Sequence, residues 1–244
     1  MTWSIVARDP ASGAFGVAVT TKFFAVGALC PHAASQTGAL ATQALVNPTW
    51  GPRGLALLRE GAPAQAVLDQ LVASDEGRAT RQLHLVDSHG RVAQHTGADC
   101  IGWCGHVAGK GFSVAGNMLA GEAVIAATAQ SFANSAKSFA ERLIDALDAG
   151  QAEGGDKRGK QSAALIVYGE EDYPEVSLRV DDHAEPLIEL RRLYELSQGR
   201  FAAFRKFMAT RANPSGIYDR AVIEAEAQRL EAQAQLDAQA QGAA

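Results

Sequence analysis

The sequence predicts an α+β fold, a four-layer αββα sandwich of two antiparallel β-sheets with helices outside. Three observations predict it. Apolar runs rich in Val, Ile, Ala and Phe occur in groups that are separated by pairs of helical segments. The strands of the first group are joined by short turns rather than by crossover helices, which is typical of antiparallel sheets. Most of these runs are apolar at nearly every position, so both faces of each strand are expected to be covered.

The first hairpin organises the predicted fold. Apolar runs at Ser4–Arg8 and Phe15–Thr21 flank Asp9-Pro10-Ala11-Ser12-Gly13, in which Pro and Gly favour a tight reversal. Neither arm alternates polar with apolar residues, so we expect the first strand to lie in the middle of a sheet. Termini normally fray, so a central strand at the amino terminus suggests a functional reason for fixing it there.

The remaining elements follow from turn residues and helix-start signals. The predicted strands are Phe23–Leu29, Gly38–Ala44, Gln82–Asp87, Arg91–His95, Phe112–Leu119, Ser162–Tyr168 and Glu175–Val180. The predicted helices are Leu55–Glu60, a helix with Pro63 in its first turn, Gly121–Asn134, Ser138–Ala149 and Glu185–Ser197. Thr96–Gly111 is expected to form a structured loop or a short irregular strand pair, and Gly150–Gln161 a polar connection.

We predict one main domain over residues 1–197 and a helical extension over residues 198–244. Beyond Asn213-Pro214 the sequence turns to Ala, Gln and Glu with few large apolar residues. Intrinsic propensity favours a helix there, but packing gives it little support. The end of this tail is therefore expected to fray.

Composition narrows the classes of partner and location. The 244 residues are 47% hydrophobic, which is enough for a sizeable core. The formal net charge is −5 and no block of Lys or Arg occurs, so neither nucleic acid nor a membrane is an expected partner. Three cysteines, an odd number, do not indicate a disulfide framework in a chain of this size. The sequence shows neither a signal-peptide pattern nor an apolar run long enough to span a membrane. We expect a cytoplasmic protein.

Thr2 is the first candidate for catalysis. It follows the initiator Met, and methionine aminopeptidase favours removal of Met when the next side chain is small. The freed α-amine has a reference pKa of about 8, so near neutral pH a useful share can accept the proton of the Thr2 hydroxyl. A single residue would then supply both nucleophile and base. The Met-Thr dipeptide alone is weak evidence, because many chains begin this way without catalytic meaning.

Five groups of motifs follow one another along residues 2–197. They are TWSIVARD from Thr2, GVAV from Gly16 with Lys22-Phe23, GNML from Gly116, GGD with RG and QSA between Gly154 and Ala163, and LRVDDH from Leu178. In this order and spacing they resemble a bacterial family catalogued as a domain of unknown function, number 1028. That family is similar in fold to the N-terminal nucleophile (Ntn) hydrolases, which cut amide bonds with an amino-terminal Thr, Ser or Cys.

The resemblance implies catalytic roles for three residues. Thr2 matches the nucleophile position. Lys22 follows the second strand at the Thr2 end of the hairpin, where its charge would lower the pKa of the amine or hydroxyl and favour an oxyanion. Otherwise it is a surface lysine. Asn117 would offer its amide NH₂ to the oxyanion, or else adopt a left-handed conformation and cap the following helix.

Asp156, Arg158 and Gln161 are the candidates for substrate binding. They crowd the Gly-rich loop that precedes a central strand. Arg158 is suited to binding a substrate carboxylate in bidentate fashion. The alternative is a solvated loop with an internal ion pair.

No metal and no cofactor are expected. Asp181-Asp182-His183 resembles a metal triplet, but adjacent strand residues point to opposite faces, and a strand end followed by a helix N-cap is the stronger interpretation. Cys100, Cys104 and His106 lack the spacing of a zinc finger. Cys30 as a nucleophile beside His32 or His106 lacks an oxyanion-hole signature.

The resemblance and the Thr2 chemistry together predict an Ntn-type amidohydrolase. It would cleave a linear C–N amide bond of a small molecule or short peptide through an acyl-threonine intermediate. The alternative is a non-catalytic ligand-binding or scaffolding protein that keeps the sandwich. A homodimer is expected, because apolar helices flank the sandwich and the tail helix is underpacked.

Overall fold

The structure, a computed structural model, describes residues 2–242. The strands are β1 Thr2–Arg8, β2 Phe15–Thr21, β3 Pro31–Ala34, β4 Gly38–Ala44, β5 Arg81–Asp87, β6 Val92–Thr96, β7 Trp103–Gly109, β8 Phe112–Leu119, β9 Ser162–Tyr168 and β10 Val176–Val180. The helices are α1 Trp50–Arg59, α2 Ala64–Ala73, α3 Glu122–Asn134, α4 Phe139–Ala152, α5 Pro186–Ser197, α6 Arg200–Arg205 and α7 Arg220–Gly242.

The strands form two antiparallel sheets. The larger sheet has the strand order β10-β9-β2-β1-β8-β7, and the smaller has the order β3-β4-β5-β6. β1 lies inside the larger sheet, between β2 and β8. Its residues Thr2 to Ala7 are all buried. The prediction of a central first strand from its unbroken apolar sequence is therefore confirmed.

The two sheets pack face to face, and helices cover their outer faces. α3 and α4 lie against the larger sheet, whereas α1 and α2 lie against the smaller one. Along β1 the side chains alternate between these layers. Trp3 contacts α4 at Gly150, whereas Ser4 hydrogen-bonds to Gln43 of the facing sheet. The predicted four-layer αββα sandwich is confirmed.

Apolar side chains fill most of the space between the sheets. This inter-sheet core contains Val6, Phe15, Val17, Val19, Val26, Cys30, Ala33, Ala39, Ala41, Val86 and Ala164. A second core between the smaller sheet and α1 and α2 includes Leu40, Trp50, Leu71 and Leu83. Small residues dominate the first core, which allows the two sheets to approach closely.

The chain divides into two compact units, and the boundary between them falls between Leu190 and Arg191, inside α5. The sequence placed it after Ser197, at the end of this helix. The first unit contains both sheets and α1 to α4, and the second contains α6 and α7. The helix expected beyond Asn213-Pro214 is α7, which extends to Gly242, and the last two residues of the tail that was expected to fray lie outside the described residues. Within residues 2–242 no helix has both the length and the apolar character needed to cross a membrane.

The strand predicted at Phe23–Leu29 is wrong. Ala25 has a left-handed backbone with φ 53°, and Val26–Ala28 forms a short 3₁₀ turn. Long-range hydrogen bonds hold this turn, from Ala25 N to the Asp181 carbonyl at 2.9 Å and from Val26 N to Ser162 Oγ at 3.2 Å. The strand begins later, at Pro31.

The stretch Thr96–Gly111 contains a strand, as one of its two interpretations proposed. β7 pairs with β8 at the edge of the larger sheet, and the register shifts between Trp103 and Gly105. The irregular pairing explains why the sequence has no clear period there.

We expect Gly27→Ala to destabilise the protein by about 1–3 kcal/mol, because overpacking forces neighbouring groups to move. A Cβ at Gly27 would lie 2.6 Å from Ala164 Cβ and 2.8 Å from Arg179 Cγ. The control is Gly121→Ala, since Gly121 has an extended backbone and no atom within 4 Å of the added Cβ, so that its cost is limited to the N-cap preference for Gly over Ala, about 1 kcal/mol or less. Urea denaturation of both variants measures the difference, and equal free energies of unfolding would contradict this packing.

Candidate active site

Thr2 lies at the head of the central strand and is buried, with 7% of its surface exposed. Its Oγ1 donates a hydrogen bond to Thr21 Oγ1 at the end of β2, at 3.1 Å. Thr2 also lines a cleft of about 70 Å³. The other residues that line this cleft, called here the Thr2 cleft, are Phe23, Val26, Leu29, Cys30, Thr42, Gln43, Ala44 and Val46. The hydroxyl therefore belongs to a small and mainly apolar opening.

Asn117 lies directly opposite Thr2 in the pairing of β1 with β8. Its Nδ2 donates to the Thr2 carbonyl oxygen at 3.4 Å and to Gln82 Oε1 at 3.1 Å. The suggestion that Asn117 caps the next helix is wrong, because Asn117 belongs to β8 and α3 begins only at Glu122. The left-handed residue is its neighbour Met118, with φ 54°.

A second cleft, of about 310 Å³, opens beside Asn117. Ala44, Leu45, Thr80, Asp99, Cys100, Ile101, Asn117 and Met118 line it, and we call it the Asn117 cleft. Ala44 belongs to both clefts. Ala44 and Met118 have positive φ values of 68° and 54°. Such backbones cost of order 1–3 kcal/mol in non-glycine residues and are often found at functional sites.

Two buried glutamines join the sheets behind Thr2, and no sequence motif indicated them. Gln43 Nε2 donates to Gln82 Oε1 at 2.7 Å and to the Thr2 carbonyl oxygen at 3.5 Å. Gln82 Nε2 donates to the Gly116 carbonyl oxygen of β8 at 2.9 Å. The one available signal was a polar side chain in a strand buried on both faces, because such a side chain needs a partner.

His84 occupies the centre of this inter-sheet network. Its Nε2 lies 2.8 Å from Ser4 Oγ, and its Nδ1 lies 2.9 Å from Ser113 Oγ. Burial, together with the smaller effect of the His106 charge, lowers the pKa of His84 to about 3. The imidazole is therefore neutral near pH 7. Ser4 and His84 have no exposed surface and line neither cleft, so this Ser–His pair is structural.

The Lys22 side chain contacts the loop before β9 and makes no hydrogen bond to the Thr2 hydroxyl. Its Nζ donates to the Lys160 carbonyl oxygen at 3.2 Å, and its backbone N donates to Asp156 Oδ2 at 2.8 Å. Lys22 is exposed and lines neither of the two clefts.

The three predicted substrate-binding residues organise the loop before β9. Asp156 is buried and accepts hydrogen bonds from Arg158 N at 2.8 Å and from the Arg158 guanidinium at 3.2 Å. Gln161 Nε2 donates to Asp182 Oδ1 at 3.0 Å. None of the three lines the Thr2 cleft or the Asn117 cleft.

The cysteines and histidines form no metal cluster within the part of the chain that the structure describes. Cys30, Cys100 and Cys104 are free thiols. Burial raises the pKa of the Cys30 thiol, whose Sγ lies 3.7 Å from Gln43 Oε1. A protonated thiol is a poor nucleophile, so the geometry does not favour Cys30.

The fold and this site define an αββα sandwich with a cleft at the head of its central strand. The chain belongs to the "Family of unknown function (DUF1028)", whose model matches residues 2–190. The resemblance seen in the sequence motifs is thereby confirmed.

Solved structures include relatives of this chain. The crystal structure of protein SPO2555 from Silicibacter pomeroyi, also described by the DUF1028 model, is 32% identical with a TM-score of 0.84, and the match covers 90% of this chain and 96% of that one. Anbu (ancestral beta-subunit) from Yersinia bercovieri is 11% identical with a TM-score of 0.38, covering 86% and 99%. No curated protein matches the chain.

We expect neutral His84 to make stability fall in acid. Its folded pKa of about 3 is below the unfolded reference of about 6.5, so the unfolded state binds the proton first as pH falls. The contribution is complete above about pH 6.5 and is lost towards about pH 3, at up to about 1.4 kcal/mol per pH unit. His84→Gln should flatten this slope in urea denaturation across that pH range.

The control for this prediction is His89→Gln. His89 is exposed and lies outside the buried network, so this substitution measures the effect of a His-to-Gln change by itself. A His84→Gln protein with the wild-type slope would show that His84 is not the buried neutral group.

Proposed function

We propose that the protein is an Ntn-type amidohydrolase in which Thr2, after removal of Met1, is the nucleophile. Its substrate is a linear amide of a small molecule or short peptide. The observation that carries the proposal is the position of Thr2. It begins the central strand, pairs with Asn117 of β8 and lines a cleft. The αββα sandwich supports the same class, although a fold alone does not fix a function.

In the acylation step the Thr2 α-amine accepts the proton of Thr2 Oγ1 as Oγ1 attacks the amide carbon. The carbonyl oxygen becomes an oxyanion, to which Asn117 Nδ2 donates the N–H that otherwise makes the 3.4 Å contact with the Thr2 carbonyl oxygen. The ammonium then returns its proton to the leaving nitrogen. The C–N bond breaks, an amine departs, and the acyl group remains as an ester on Thr2 Oγ1.

In the deacylation step a water molecule enters the vacated position. The Thr2 amine accepts a proton from this water, and the water oxygen attacks the ester carbon. The second oxyanion has the same Asn117 donor. When the C–O bond breaks, the proton returns to Thr2 Oγ1, so the products are a carboxylic acid and the original enzyme.

Lys22, Asp156, Arg158 and Gln161 have supporting roles in this proposal. Lys22 follows Thr21, the hydrogen-bond partner of the Thr2 hydroxyl, so its charge acts on the site from outside the cleft. Asp156 fixes the Lys22 backbone. Arg158 and Gln161 contact acidic side chains of the same region, so any effect on substrate is transmitted through this loop.

We further propose a cytoplasmic homodimer. Three free cysteines suit a reducing compartment. Twofold dimers are the commonest soluble oligomers, and exposed apolar side chains such as Phe24 and Ile188 offer surface for one. Light scattering coupled to gel filtration measures the state, and a monomeric mass at micromolar concentration contradicts the dimer.

We expect protein purified from its native host to lack Met1 and to be acylated by a β-lactone probe on Thr2. Intact-mass and peptide mass spectrometry measure both. Thr2→Ala should abolish the adduct, whereas Thr2→Ser keeps a hydroxyl beside the amine and should retain it. Retained Met1 overturns the proposal. Removal of Met1 without any adduct would instead favour the non-catalytic ligand-binding or scaffolding alternative.

We expect Asn117→Ala to slow acylation of Thr2 by the same probe about 100-fold or more, as is typical for loss of an oxyanion donor. Lys22→Met should slow it less than about 10-fold, because Nζ contacts the Lys160 carbonyl and an exposed charge acts weakly through solvent. Thermal melting of both variants separates loss of rate from loss of folding. If Lys22→Met slows acylation more than Asn117→Ala does, Lys22 rather than Asn117 is the main group that stabilises the oxyanion.

A further inference from the structure

We propose that the Asn117 cleft is the subsite for the longer substituent of the amide, and that Asp99 selects substituents that end in an ammonium group. This proposal rests on the proposed function and gives it a substrate class. It begins from the arrangement of two clefts around one pair of residues, Thr2 and Asn117.

The two clefts share one wall residue beside the proposed reaction centre. Thr2 lines one and Asn117 lines the other, and the two residues are direct cross-strand partners. Ala44 is a wall of both. An amide attacked by Thr2 Oγ1, with its oxygen towards Asn117 Nδ2, therefore has a different cleft available to each of its two substituents.

The clefts differ in size. The Thr2 cleft has about 70 Å³ and is walled by apolar side chains such as Val26 and Leu29. The Asn117 cleft has about 310 Å³, within the range of small-molecule sites. The first accommodates a group of a few atoms, such as an acetyl methyl. The second accommodates the longer part of the substrate.

The walls of the Asn117 cleft combine apolar side chains with one charge. Leu45 and Ile101 are each 64% exposed and give contact surface for methylene groups. Asp99 is the one charged residue among those that line either of the two clefts. Within the described part of the chain its carboxylate makes no hydrogen bond or ion pair. In a substituent made of an alkyl chain that ends in an ammonium group, the methylene groups would contact the apolar side chains and the ammonium would pair with the Asp99 carboxylate.

The cations near the two clefts already have partners. The two cations predicted near the site contact other groups, Lys22 the Lys160 carbonyl and Arg158 the Asp156 carboxylate. A substrate carboxylate in the Asn117 cleft would therefore meet Asp99, and the neighbouring cation Arg81, whose guanidinium donates to the Leu45 and Val46 carbonyl oxygens, is already paired with Asp75. Backbone conformation also fixes the shape of the Asn117 cleft. Ala44 and Met118, which line it, have left-handed backbones, and such strained residues persist only where the surrounding structure holds them in place.

Three matched amides test the subsite. N-acetylputrescine, N-butylacetamide and N-acetyl-γ-aminobutyrate share the acetyl group and a short alkyl chain, and end in a cation, a methyl and an anion. With the mature protein, kcat/KM should be highest for the cation and lowest for the anion. The preference for cation over neutral should be about two- to five-fold, as expected for an exposed charge pair, and should lie in KM.

Variants at Asp99 test the cause of the preference. Asp99→Asn should remove the difference between the cationic and neutral amides, and Asp99→Lys should place the anionic amide first. Asp99 is exposed, so both variants are expected to fold. The matched control is Asp69→Asn on α2, which is exposed and lines neither cleft, and which should keep the wild-type order.

Binding to Thr2→Ala separates this proposal from the proposed hydrolysis. Calorimetry with this variant should show N-acetylputrescine bound about two- to five-fold more tightly than N-butylacetamide, and Asp99→Asn in the same background should abolish the difference. If the mature protein hydrolyses the three amides with equal kcat/KM, the proposed subsite is wrong and the proposed hydrolase is retained. An Asp99-dependent preference in binding, without hydrolysis of any amide by the mature protein, supports the subsite and overturns the hydrolase.

Discussion

The site depends on one constraint, the burial of β1 between two strands and two layers. Because side chains alternate along a strand, Thr2, Ser4 and Val6 share the face directed at the smaller sheet. A shift of one residue in the pairing with β8 would turn this whole set towards the helices and remove Thr2 from opposite Asn117. The position of a single hydroxyl is therefore specified by the packing of the entire sandwich.

Polar contacts between the sheets make that register specific. Around Val6, the space between the two sheets is filled by apolar side chains, whose contacts are not directional. Around Ser4, the same space contains His84 and Gln43, which hydrogen-bond to the Ser4 hydroxyl. A buried polar group without a partner costs about 1–3 kcal/mol, so a slipped register would lose several such contacts together. The same amide groups that fix the strands also hold Asn117, through Gln82. Structure and proposed oxyanion donor therefore share one network.

The sequence was informative where structure is decided locally. Unbroken apolar runs predicted β1 as a central strand, and the layer order followed from the order of elements. The strand predicted at Phe23–Leu29 was wrong because these residues form a turn that is held by hydrogen bonds to Asp181 and Ser162, which are distant in the chain. Gln43 and Gln82 were missed because a glutamine in a strand has no motif, and only the facing sheet shows that it is buried. Lys22 was placed beside Thr2 in the hairpin, but its side-chain direction depends on a loop that the hairpin does not contain.

The absence of charge in the Thr2 cleft has a chemical consequence. None of the residues that line it is acidic or basic, and a mainly apolar wall disfavours a charged group. Around the proposed base, an α-amine, such a wall would favour the neutral and reactive form, in addition to the effect of the Lys22 charge from outside the cleft. Oxyanion stabilisation would then come from neutral donors, among which Asn117 is positioned by Gln82 before any substrate arrives. In the proposed subsite the Asp99 carboxylate would be the charge that distinguishes substrates, since no other charged residue lines either cleft.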